Sequence, residues 1–159
     1  MSHKLTYFLP NNIRKIRPIR EIILMFDGGS RGNPGKSGAG YTLTNNSTNK
    51  EISYGYIYLG HTTNNIAEYQ GLIAGLEAVT RHGITDVQVY GDSKLVVNQM
   101  NGEWKVRSST IQSLHARATT LATRIGNVTY QHVRRNQNKR ADELANEAMD
   151  TKCCFHSDS

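Results

Sequence analysis

The spacing of apolar residues changes along this chain, and each change marks an element. Ile22-Ile23-Leu24-Met25-Phe26 is a continuous apolar run closed by glycines, which predicts a buried strand over about residues 21–27. Residues 39–44 and 52–59 alternate and are rich in Tyr, Ile and Thr, with turn residues 45–49 between them. Three closely spaced strands predict an antiparallel meander. The spacing then becomes helical at Ile66, Tyr69, Leu72, Ile73, Leu76 and Val79. Residues 62–65 offer N-caps for this helix, and Gly83 offers its C′ position. Gly71 and Gly75 share one helix face, where a neighbouring element can come close.

Residues 84–90 predict a fourth strand ending at Gly91-Asp92. A short helix follows through Leu95, Val96, Gln99 and Met100. A longer one carries Ile111, Leu114, Ala118, Leu121 and Ile125, and Gly126 closes it. Residues 128–133 read as a fifth strand, 134–140 as a polar basic loop, and Ala141, Leu144, Ala145, Ala148 and Met149 as the apolar side of a last helix. Helical crossovers lead to strands four and five, so the pattern predicts an α/β fold, a mixed sheet with helices packed on it. No repeat or linker divides residues 21–150. Residues 1–20 form a basic N-terminal extension, and residues 151–159 lose all pattern and are expected to be a disordered tail.

Charge narrows the function classes. The formal net charge is +6 and the pI about 9.4, which favours a polyanionic partner. The extension carries Lys4, Arg14, Lys15, Arg17 and Arg20, with no acid before Glu21. It reads as a solvated terminus or a phosphate-contacting arm, and with Ser2 as its only serine it fits an organelle transit peptide poorly. No run approaches the roughly 18 apolar residues of a membrane span. Cys153 and Cys154 are adjacent, which suits neither a disulfide framework nor a zinc site. A reducing, cytoplasmic setting is expected, with no obligate protein partner and a monomer as the simplest state.

The acids bring in the chemistry. Asp27 opens the stretch Asp27-Gly28-Gly29-Ser30-Arg31-Gly32-Asn33-Pro34-Gly35, at or just before the end of the first strand. Alone, Asp-Gly reads as a hairpin turn. Asp92 ends another strand, Glu68 lies in the first turns of the first long helix, and Asp142 starts the last helix. Each has an ordinary reading as a turn residue, a cap or a helix-dipole partner. Ligands in open α/β sheets bind outside strand ends, where four such acids could meet. Clustered carboxylates need a compensating cation, and an all-oxygen set selects Mg²⁺ or Mn²⁺.

Four blocks carry a resemblance. These are residues 27–35, Thr62-Thr63-Asn64-Asn65-Ile66-Ala67-Glu68, Gly91-Asp92-Ser93, and Asn138-Lys139-Arg140-Ala141-Asp142-Glu143-Leu144-Ala145-Asn146. In this order they resemble type 1 ribonuclease H, over about residues 21–150. The resemblance implies the ribonuclease H-like fold, a five-stranded mixed sheet ordered 3-2-1-4-5 with helices on both faces. It also implies hydrolysis of the RNA strand of RNA–DNA hybrids with two Mg²⁺ ions per site, Mn²⁺ able to substitute, and 5′-phosphate and 3′-hydroxyl products. Carried over, Asp27 bridges both ions, Asp142 helps hold the ion that activates water, and Glu68 and Asp92 hold the other. The Gly-rich segment (Gly28, Gly29, Ser30, Asn33) with Asn64 and Asn65 would read the RNA 2′-hydroxyl. Thr63, Lys94, Arg134, Arg135 and Asn138 complete the implied substrate contacts.

Three departures accompany the resemblance. The loop from Arg134 to Arg140 lacks the histidine that many members carry there, which leaves Arg134 or Arg135 as a substitute, or a step without a side-chain base. His132 precedes the loop in strand pattern and is expected to be structural. Lys94 replaces a common Gln, and Trp104-Lys105-Val106-Arg107 is all that stands in place of a longer basic protrusion. These traits resemble the shorter branch of the family. They leave as alternatives a nuclease of the same fold acting on double-stranded RNA or DNA junctions, or a non-cleaving nucleic-acid-binding module.

Overall fold

The computed structural model describes residues 21–158, and the basic extension over 1–20 lies outside them. Strand β1 spans Ile22–Arg31, β2 Gly35–Asn45 and β3 Lys50–Thr62. Helix α1 follows over Asn64–Arg81, then β4 over Asp86–Gly91, α2 over Lys94–Met100 and α3 over Ser109–Ile125. Strand β5 (Asn127–His132), α4 (Lys139–Thr151) and β6 (Phe155–His156) complete the chain.

The helix boundaries follow local chemistry. The side chains of Thr63, Ser93 and Ser108 cap α1, α2 and α3 by accepting from the backbone N–H of Ile66, Val96 and Ile111. Gly83 (φ +65°) and Gly126 (φ +115°) take left-handed conformations just past α1 and α3, as their positions predict.

The sheet has six strands in the order β5-β4-β1-β2-β3-β6. This corrects the five-strand expectation, although the expected order is kept within it. The added strand arises in the segment expected to be a disordered tail. Phe155 and His156 pair antiparallel with Tyr56 and Gly55 of β3. The Phe155 ring lies 5.6 Å from that of Tyr54 and 5.9 Å from that of Tyr56. Asp158 accepts from His82 (2.9 Å) and Arg81, and His156 Nδ1 sits 2.9 Å from the buried Tyr41 hydroxyl. Two residues are too few to show a period, so contacts with distant residues create this strand.

A second correction concerns β1, which continues through Gly28–Arg31, all paired with Lys36–Ala39 of β2. The turn is confined to residues 32–34. Glycines are poor strand formers, but here they admit close neighbours on both faces. A Cβ on Gly28 would collide with the α1 backbone at Ala67 and Glu68, and one on Gly38 or Gly40 would collide with α4. Gly71 of α1 answers from the other side, since a Cβ there would lie 2.5 Å from the Asp27 carbonyl oxygen. Helices therefore cover both faces. The main core joins Leu24, Phe26, Leu43, Val87 and Val89 of the sheet to Leu72, Ile73 and Leu76 of α1 and Ile111 and Ala118 of α3.

Candidate active site

β1 is parallel to β4, with Ile23 opposite Gln88 and Phe26 opposite Gly91. One step further along this register stand Asp27 and Asp92. The close approach of α1 at Gly28 and Gly71 adds Glu68. Asp27, Glu68 and Asp92 each offer an oxygen within 4.8 Å of the others. Asp142, in the first turn of α4, lines the same cleft of about 500 Å³. The four acids picked from the sequence thus face one space. The ordinary readings of three of them do not hold, since Asp27 lies within β1 ahead of the turn at 32–34, Ser93 rather than Asp92 caps α2, and Glu68 lies beyond the first turn of α1.

The electrostatics of this cluster are unfavourable as it stands. Asp27 is 6 % exposed and Glu68 8 %. Burial, reinforced by the Asp92 charge, pushes the Asp27 carboxyl up to about 8. Glu68 is pushed well above the ordinary range by burial, then by Asp27 and Asp92. Burial also raises Asp92, against the hydrogen-bonding influence of Asn138. The Gly28 N–H donates to Asp27 Oδ1 at 2.9 Å, whereas Glu68 Oε2 is buried with no hydrogen-bond partner. An orphaned carboxylate oxygen beside two more acids fits a hard divalent cation, whose charge would offset the repulsion. Arg135, largely exposed, lies 3.9 Å from Asp142 Oδ1.

The proposed substrate contacts fall into two groups. Gly28, Gly29, Ser30, Asn64, Asn65 and Arg135 line the cleft. A Cβ on Gly29 would meet nothing within 4 Å, so this residue leaves open space. Asn64 Oδ1 accepts from the Ser30 N–H (2.8 Å), and Asn33 Oδ1 accepts from the Asn64 N–H (3.1 Å). The hairpin tip and the α1 N-terminus are thereby tied together. Thr63 caps α1. Lys94 and Arg134 are exposed outside the cleft lining, and Asn138 is 1 % exposed, turned inward. His132 has a structural partner, with Nε2 3.2 Å from the Asp92 carbonyl oxygen.

Further lining residues were not singled out from the sequence, among them Arg31 and Asn146. Arg31 pairs with Asp150 at 2.7 Å and donates to Asn146 Oδ1 at 3.1 Å. Asn146 was findable, because it follows Asp142 by four residues on one helix face.

A family model described as "Reverse transcriptase-like" matches residues 25–148. A bifunctional protein of Mycobacterium tuberculosis is 42% identical over 130 residues, which are 82% of this chain but 36% of that protein. The chain thus spans about a third of the length of the first curated relatives it matches. Ribonuclease H of Francisella philomiragia is 34% identical over 143 residues, covering 80% of this chain and 90% of the relative. Among solved structures, LC11-RNase H1 in complex with an RNA/DNA hybrid superposes with a TM-score of 0.78 at 39% identity, covering 82% of this chain and 98% of that one. Fold, clustered acids and relatives agree over the same stretch, and the chain belongs to the type 1 ribonuclease H family.

Proposed function

We propose that this chain is an endoribonuclease that hydrolyses the RNA strand of RNA–DNA hybrids and leaves 5′-phosphate and 3′-hydroxyl ends. The observation that carries this reading is the trio Asp27, Glu68 and Asp92, the first two buried, with Asp142 on the same cleft and Glu68 Oε2 unpartnered. These four acids would hold two divalent cations, Mg²⁺ with Mn²⁺ able to substitute. Bound there, the ions supply a lowered pKa for the attacking water and neutralise charge developing on the scissile phosphate.

The chain's own groups do the rest. Gly29 leaves space for a nucleic-acid backbone, and Ser30, Asn33, Asn64 and Asn65 form a polar rim suited to a 2′-hydroxyl. Arg135, facing Asp142 in place of a loop histidine, offers positive charge to phosphate. The adjacent free thiols of Cys153 and Cys154 fit a reducing interior.

The test is a panel of labelled hybrid, double-stranded RNA and DNA junction, each with Mg²⁺ or Mn²⁺. Cleavage of the hybrid's RNA strand, lost in Asp27→Asn while the far-ultraviolet spectrum stays native, is the expected result. Full activity in Asp27→Asn overturns the reading. Cleavage of double-stranded RNA alone would replace its substrate.

A further inference from the structure

Asn138 stands in the block that introduces Asp142, and its side chain does something its position does not advertise. It is the N-cap residue of α4, yet it makes no side-chain capping hydrogen bond. The amide is spent elsewhere. Nδ2 donates to the Phe26 carbonyl oxygen at 2.8 Å, one residue before Asp27. The same side chain also favours the charged form of the Asp92 carboxylate, against the burial that raises it. Its backbone carbonyl accepts from the Asp142 N–H at 3.1 Å. It is 1 % exposed, and its Oδ1 is buried without a hydrogen-bond partner.

One residue therefore touches the supports of three acids that belong to three elements: β1 before Asp27, the carboxylate after β4, and the first turn of α4. This bridge ties the α4 N-terminus to the β1–β4 seam through a hydrogen bond, which is more directional than apolar packing. We infer that Asn138 is a positioning residue whose amide N–H groups set the spacing of Asp27, Asp92 and Asp142, and hence cation affinity and turnover. This rests on the four acids being the cation-holding site.

Two substitutions separate this role from simple capping. Asp is as good an N-cap as Asn, but it has no N–H to donate. If capping is all that matters, Asn138→Asp keeps wild-type turnover. If the amide donor matters, Asn138→Asp and Asn138→Ala both lower kcat about 10²-fold, the scale expected for a misplacement near 1 Å, with KM for the hybrid unchanged. A second readout needs no substrate. In Asn138→Ala the rise in Tm on adding Mg²⁺ or Mn²⁺ shrinks, and the cation concentration for half-maximal effect increases several-fold. Turnover is measured below the unfolding transition of each variant, with circular dichroism confirming the folded state. Wild-type kcat in Asn138→Asp, or an unchanged cation titration in Asn138→Ala, overturns the inference. If the wild type itself neither binds the cation nor cleaves the hybrid, the proposed function fails instead.

Discussion

Asp27 has a carboxyl raised to about 8 from an ordinary value of 3.8, with burial as the main cause and Asp92 as the second. A raised carboxylate makes the folded chain hold a proton that the unfolded chain has already lost. Without cations, stability therefore falls as pH rises from about 4 to about 8. Thermal unfolding at pH 5 and pH 8 should show this fall, and Mg²⁺ should raise Tm more at pH 8, where it meets less competition from protons. A cation-induced shift of equal size at both pH values would contradict it. Asp27→Asn should lose activity yet raise the cation-free Tm at pH 8, because it removes a buried charge from beside two others. Neighbouring glycines provide a matched pair. Gly28→Ala drives a methyl into the α1 backbone and should cost about 3 kcal/mol or more, whereas Gly29→Ala faces open space and should fold normally. Higher KM for the hybrid in Gly29→Ala, at unchanged Tm, would tie that space to substrate approach.

Among the elements, β6 is the one that local pattern does not announce. Its two residues are held by stacking on Tyr54 and Tyr56 and by the ties of His156 and Asp158. Removing residues 152–159 should lower Tm by several degrees, with specific activity unchanged while the protein is folded. Phe155→Ala alone, at a site 42 % exposed, should cost only about 1 kcal/mol, in the range of a cross-strand pair. Chemical denaturation measures both, and an unaltered midpoint in the truncated chain would show that β6 adds nothing. The other elements were legible because each repeats its signal. Six apolar positions at helical spacing mark α1, and its cap Thr63 falls within the residues 62–65 that offered one. The second half of β1 reads locally as a loop because glycine content is a local cue, whereas the reason for Gly28 lies in the α1 backbone at Ala67 and Glu68, more than thirty residues away.

For the whole molecule, a formal charge of +6 surrounds a cleft built from acids. Affinity for the hybrid should fall steeply with salt, because cations that contact phosphate release counterions. Deleting residues 1–20 removes Lys4, Arg14, Lys15, Arg17 and Arg20. A shallower salt slope after that deletion would make the extension a phosphate-contacting arm, and an unchanged slope would leave it a solvated terminus. Among the described residues, no helix is long and apolar enough to cross a membrane.

The amino-acid sequence alone determined the kinds and order of the main elements, the cap region of α1 and the glycines that end α1 and α3, and four acids worth suspecting, because these depend on neighbours within a turn or two. Tertiary structure decided that the acids meet. The parallel register of β1 and β4 sets Asp27 beside Asp92, residues 65 positions apart in the chain. The glycine contact of β1 with α1 brings Glu68 in, and Asn138 ties the start of α4 to the same seam. Register and close approach are long-range choices, settled by the packing of whole faces, and no local period encodes them.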